Sequence, residues 1–190
     1  MRFQLLVLLV ITLFSTNILF SEGKMDRPKY LITTYQKGEE LGKIKIELYN
    51  DVAPKHVANF DSLVSIGFYD GTAFHRVIPG FMIQGGDPNS KDKPREMWGF
   101  GDPSQTTVPA EFSKLNHKRG IISAARKPDP NSATSQFFIC VADVPHLNGQ
   151  YSIFGEVIEG MEVVDKIVNM PRDSRDNPID KVEMKIEKIK

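Results

Sequence analysis

The sequence predicts a mainly β protein, a closed antiparallel barrel with two helices plugging its ends. Three observations carry this. Lys43–Leu48 and Val182–Ile189 alternate apolar with polar residues, the period of a half-buried strand. Further strand-length apolar segments, broken by Gly, Pro and Asn, fill most of the remaining chain. Apolar residues recur at helical spacing in just two places, Val57/Phe60/Leu63/Val64 and Met161/Val164/Ile167/Val168. Many short strands and two helices suit a barrel, because closure removes exposed sheet edges.

Of the 190 residues, 41% are hydrophobic and 25% charged, enough for one domain with a substantial core. Lys+Arg and Asp+Glu number 24 each, so no basic face is implied and nucleic acid is not an expected partner. The single cysteine, Cys140, lies in Phe137-Phe138-Ile139-Cys140-Val141 and reads as a small buried hydrophobe. No zinc-ligand spacing, nucleotide motif or cofactor motif is present. Gly38–Lys43 fails as a phosphate loop, because its spacing is wrong and Ile44 stands where a Ser or Thr is needed.

The N-terminus is distinct. After Arg2 no charge occurs before Glu22, and Leu5–Phe14 is almost wholly apolar. Residues 1–21 read as a secretory signal, or as an uncleaved membrane anchor if they are retained. The expected location is therefore export to a periplasm or envelope, with membrane attachment in the second case. Residues 22–29, polar and containing Pro28, read as a tether to a domain over 30–190.

Tyr30–Tyr35 is β-branched and aromatic, hence a strand. Gly38–Gly42 reads as a turn, and 43–48 as a strand with Ile44, Ile46 and Leu48 inward. A helix over 54–66 starts with Asp51 as N-cap and Pro54 in the first turn, and Gly67 ends it. His56 on it reads as a solvated residue. Residues 88–107 form a long irregular loop in which Trp98 either covers a site or anchors the loop. Residues 120–125 and 135–141 read as strands, Leu147-Asn148-Gly149 as a hairpin turn before 151–155. A second helix ends before Pro171, and 182–189 is the last strand.

The most informative stretch is Phe74-His75-Arg76-Val77-Ile78-Pro79-Gly80-Phe81-Met82-Ile83-Gln84-Gly85-Gly86-Asp87. Pro79-Gly80 is turn chemistry between two apolar strands. Arg76 and Gln84 then lie near Phe81 and Met82: a permanent cation, an amide and an apolar floor, with no nucleophile–base pair for bond cleavage. A plain core segment with Arg76 as a surface charge is the competing reading.

Together with Ser135-Gln136-Phe137-Phe138-Ile139, this stretch resembles the cyclophilin family of peptidyl-prolyl cis-trans isomerases, over roughly residues 28–190. Ala53-Pro54-Lys55-x-Val57-x-Asn59-Phe60 fits the same pattern. The resemblance implies an eight-stranded barrel with one helix at each end, rotation about X–Pro bonds, and proline-containing polypeptides as partners. It implies that Arg76 donates to the prolyl nitrogen, and that Phe81, Met82, Phe138 and Leu147 form the proline pocket. Gln84 and Gln136 would hold substrate backbone beside Ala125, with His146 and Tyr151 completing the rim. No cofactor, metal or covalent intermediate is implied, and a monomer is the default.

Three positions depart from the family pattern. His146 stands where Trp is common, which implies weakened cyclosporin binding. Tyr151 replaces a common His, and Arg126 a common Asn that offers mainly backbone. Gly99 and Gly101 stand for a tight glycine turn, preceded by an insertion. His75 reads as a buried, hydrogen-bonded structural residue. Two other functions compete: a non-catalytic proline-peptide-binding chaperone on the same barrel, which need not keep Arg76, and a small-molecule carrier, which the bulky inward residues disfavour.

Overall fold

A computed structural model describes residues 26–190. Its strands are β1 Lys29–Gln36, β2 Glu39–Leu48, β3 Phe74–Ile78, β4 Met82–Gly85, β5 Ile121–Ala124, β6 Phe137–Cys140, β7 Ile153–Glu159 and β8 Val182–Ile189. Helices α1 (Pro54–Ser65) and α2 (Met161–Val168) accompany them. The eight strands form one antiparallel sheet in the order β3-β4-β6-β5-β7-β2-β1-β8. Its two ends meet where Met184 donates to Thr72 O at 2.8 Å and Gly71 to Met184 O at 3.0 Å, so the barrel is nearly closed.

Strand alternation fills the interior. Ile44, Ile46 and Leu48 of β2 point inward as their spacing predicts, and they meet Ile32, Ile83, Phe137, Ile139 and Ile186. Helix α1 sends Phe60 into an aromatic cluster, 5.3 Å from Tyr30, 5.0 Å from Tyr69 and 5.8 Å from Phe137 between ring centres. Helix α2 buries Val163, Val164 and Ile167. Gly160 precedes it at φ 91°, and a Cβ there would lie 2.2 Å from Lys43 O, so only glycine lets α2 pack this close to β2.

Several boundaries differ from expectation. The β1–β2 turn is Lys37-Gly38, both at positive φ (53° and 84°), with Gln36 paired to Glu39. That two-residue turn matches strand twist, so residues 39–42 extend β2 rather than form a turn. Asp51 does not cap α1. Its carboxylate accepts from Arg27 Nε and Nη2 at 2.9 and 2.8 Å, and the N-cap position is Ala53. Arg27 and Pro28 are thus docked on the barrel, Pro28 O accepting from Leu48 N at 2.9 Å, and are not a loose tether. Leu147-Asn148-Gly149 is no hairpin, because β6 and β7 both pair with β5 between them; Pro145–Leu147 is a 3-10 turn. The signal or anchor expected over residues 1–21 lies outside the described residues.

Candidate active site

The site is built on the barrel's outer wall. In the β3–β4 hairpin Arg76 pairs with Gln84 and Ile78 with Met82, and across β4–β6 Gln84 pairs with Phe138. Alternation sends Val77, Ile83 and Phe137 into the core. Their neighbours Met82 and Phe138 form a second apolar cluster with Cys140, Val144 and Leu147, packed against Phe81, Ala125 and Tyr151. Gly80 supplies the turn at φ 74°, and Phe81 N donates to Ile78 O at 3.0 Å.

Between these residues lies a hollow of about 130 Å³, lined by Arg76, Phe81, Met82, Gln84, Ala125, Arg126, Phe138, Leu147 and Tyr151. Its scale is that of one side chain, not a whole metabolite. Tyr151 meets Phe138 edge-on at 5.6 Å. Arg76 is half-buried at its edge and forms no ion pair among the described residues. Gln136 lies outside the hollow's lining but is tied to it: Gln84 Nε2 donates to Gln136 Oε1 at 2.9 Å, and Gln136 Nε2 to Gly99 O at 3.1 Å. His146 is exposed and lies 5.8 Å from Phe81, flanking the hollow without lining it. A second, larger hollow of about 250 Å³ adjoins, sharing Gln84, Ala125 and Arg126 and walled by Gly99, Phe100 and Gly101.

Trp98 anchors the long loop. It is 7% exposed, its Nε1 donates to Lys93 O at 2.9 Å, and it lines neither hollow. Arg95 lies 4.8 Å over its ring and donates to Pro178 and Ile179 carbonyls, strapping the loop to the segment before β8.

Two histidines differ from expectation, and a third supports the site. His75 is buried as expected, but neither ring nitrogen has a hydrogen-bond partner among the described residues. Burial pushes its pKa down to about 4, so the ring is neutral near pH 7 and spends no charge in the core. His56 is not solvated: it is 5% exposed, and its Nδ1 lies 2.7 Å from Glu111 Oε2. Burial holds it below the usual histidine value against the opposing pull of Glu111, so Nδ1–H donates to the carboxylate from a neutral ring. The third histidine, His117, gave no signal in the sequence. It stacks under Phe138 (6.1 Å, 15° between planes), and its ring nitrogens face Asn148 Oδ1 and Ser123 Oγ, both at 3.1 Å. Its backbone carbonyl accepts from Val144 at 2.8 Å. His117 therefore fixes both the Phe138 floor and the segment carrying Leu147. The Arg126 side chain also lines the hollow, where the sequence pattern points mainly to a backbone contribution at this position.

Burial pushes the Cys140 thiol up to about 12, consistent with an inert apolar residue. Among the described residues, no group of three or more His, Cys, Asp or Glu could hold a metal. No helix among them is long and apolar enough to cross a membrane.

A sequence profile described as "Cyclophilin type peptidyl-prolyl cis-trans isomerase/CLD" matches residues 31–190. The chain belongs to the cyclophilin family. It is 50% identical over 130 residues to a probable peptidyl-prolyl cis-trans isomerase of Brucella suis, covering 66% of each chain. It is 46% identical over 149 residues to a peptidyl-prolyl cis-trans isomerase of Acinetobacter baylyi, covering 73% of each. The crystal structure of a Cryptosporidium parvum cyclophilin-type isomerase superposes with a TM-score of 0.76 at 35% identity, covering 86% of this chain and 98% of that one. The same Cryptosporidium enzyme has been solved in the presence of the dipeptide Ala-Pro. The eight antiparallel strands and two helices of this chain thus superpose on a cyclophilin-type isomerase.

Proposed function

We propose that this chain is a peptidyl-prolyl cis-trans isomerase that uses Arg76 to ease rotation about X–Pro bonds. The carrying observation is an Arg76 guanidinium without an ion-pair partner among the described residues, beside a side-chain-sized hollow that Phe81, Met82, Phe138 and Leu147 help to line. Peptide-bond rotation costs about 18–20 kcal/mol, while cis and trans X–Pro forms differ by about 0.5–1 kcal/mol. A catalyst therefore needs to lower a barrier without cleaving a bond. Half-rotation breaks amide resonance and leaves the prolyl nitrogen pyramidal and basic. A donor aimed at that nitrogen binds the transition state more strongly than the ground state, which is the condition for acceleration.

In this reading Phe81, Met82, Phe138 and Leu147 grip the pyrrolidine ring as a pivot. Their apolar walls exclude water and strengthen the Arg76 contact. Gln84, oriented by Gln136, meets the substrate backbone beside Ala125, and Tyr151 closes one wall. His146 flanks the binding surface through Phe81. No side chain in the hollow is required to transfer a proton.

The test is cis-to-trans exchange of a short X–Pro peptide by the chain and its Arg76→Ala variant. Loss of one preorganised donor costs roughly 10²–10³ in rate. Retention of exchange in the variant would remove Arg76 from the mechanism. No acceleration by folded wild type would leave a peptide-binding chaperone instead.

The clients we infer are exported proteins, and the support is the signal-like composition of residues 1–21. Cell fractionation with N-terminal sequencing tests this. A start near residue 22 in a soluble envelope fraction indicates cleavage, an intact N-terminus in membranes indicates an anchor, and recovery in the cytosol refutes export.

A further inference from the structure

Charge does not balance across the two adjoining hollows. Arg76, Arg126 and Lys127 line them, against one carboxylate, Asp102. Asp102 Oδ1 is engaged by the Ser104 amide and hydroxyl, both at 2.8 Å. None of the three cations forms an ion pair among the described residues. The whole chain carries equal numbers of acidic and basic residues, so this excess is local.

Arg126 stands on the wall common to both hollows. Its Nε and Nη2 donate to Gln150 O at 3.2 and 2.9 Å, and its Nη1 to Lys127 O and Pro128 O at 3.0 and 3.1 Å. The guanidinium lies 4.5 Å over the Tyr151 ring. Four of its five N–H donors are committed, and one on Nη2 remains. A guanidinium already held in place loses little freedom when it meets an anion. A purely structural staple between residues 126–128 and 150 accounts for the donors. It does not account for exposed Lys127 beside it, or for three cations facing one carboxylate.

We propose that this basic rim selects X–Pro substrates bearing a carboxylate side chain within about three residues of the proline. The inference rests on the isomerase reading and adds the substrate class. An arriving acidic segment meets Arg126 and Lys127, while its proline enters the smaller hollow beside Arg76. Complementary charge of this kind discriminates partners and speeds encounter more than it tightens the final grip.

The experiment measures kcat/KM for exchange by the full chain on peptides carrying Glu, Gln or Lys one to three residues to either side of the proline. At low salt, Glu is expected to exceed Lys by about fivefold at one or more positions, the combined effect of two exposed charge contacts of ordinary strength. The ratio should shrink toward one in 0.5 M salt, where screening is strong. Lys127→Glu and Arg126→Gln should each compress it; Lys127→Glu changes an exposed loop residue and tests the charge without disturbing the Arg126 bonds. A Glu-to-Lys ratio within twofold of one at every position, or one indifferent to Lys127→Glu, overturns the proposal. If the Gln peptides are turned over in that case, the isomerase reading stands and the charge selection alone fails. If no Gln peptide is turned over, the isomerase reading fails and takes the proposal with it.

Discussion

Replacing Glu111 with alanine should destabilise the barrel from a position outside the candidate active-site hollow. The amides of Lys55 and His56 donate to the Glu111 carboxylate at 3.1 and 3.0 Å, and His56 Nδ1 lies 2.7 Å from it. The first turn of α1 has no side-chain cap of its own, so a residue 55 positions away supplies one. The Glu111 side chain is 12% exposed and that of His56 5%, so water replaces these bonds poorly. A lost N-terminal cap costs about 1 kcal/mol. Stranding a buried donor that had a charged partner adds about 2 kcal/mol. The sum, about 3 kcal/mol, lowers Tm by roughly 6–12 °C in a domain of this size.

Urea and thermal unfolding of Glu111→Ala and Glu111→Gln read this directly, and the Gln variant should lose about half as much because it keeps one acceptor. The pH dependence gives a second check. Burial lowers the His56 pKa. Bonds from His56 and the two amides hold Glu111 below its ordinary 4.5 against the opposing effect of burial. Both folded values lie below the unfolded ones, so the unfolded chain binds more protons. The pair's contribution is complete above about pH 6.5 and is lost as pH falls, through His56 first and then through Glu111. In Glu111→Gln the carboxylate step disappears while the imidazole step remains. A loss under about 1 kcal/mol in Glu111→Ala, or an unchanged acid limb in Glu111→Gln, would refute the reasoning.

Three other outcomes follow from the geometry. His117→Ala removes the ring under Phe138 and the bonds to Asn148 and Ser123, and should lower kcat/KM on a neutral X–Pro peptide about tenfold; an unchanged rate would show that Phe138 and Leu147 hold themselves in place. Gly160→Ala forces a Cβ against Lys43 O at 2.2 Å in a backbone of positive φ, and calorimetry should show a loss of about 3 kcal/mol or more. His146→Trp enlarges the aromatic surface against Phe81, and inhibition by cyclosporin should tighten by about tenfold in a titration of exchange activity.

Regular patterning made the barrel legible. Ile44, Ile46 and Leu48 face inward as their spacing requires, and both helices lie where the 3.6-residue period places them. Nearest-neighbour turn chemistry was less reliable. Gly42 looked like part of a turn, yet Lys37 with Gly38 makes it, because a non-glycine residue adopts positive φ there. The hollow's lining was readable because two contiguous motifs carry Arg76, Phe81, Met82, Gln84 and Phe138. His56, His117 and Arg126 were misjudged or missed for one reason. Their surroundings come from Glu111, from Asn148 with Ser123, and from Gln150, partners that no local period announces.

Phe137 and Phe138 are neighbours in the chain that face opposite sides of one wall. The first belongs to the enclosed core and the second to the outer cluster, and the same split separates Ile83 from Met82 and Gln84. Such a wall lets recognition change without rebuilding the scaffold. Outward residues can be exchanged for new ligands while the inward row, one residue away, keeps the barrel folded. Random mutagenesis of β4 and β6 should therefore change selectivity at Gln84 and Phe138, which line the hollow, and yield of folded protein at the inward Ile83, Phe137 and Ile139.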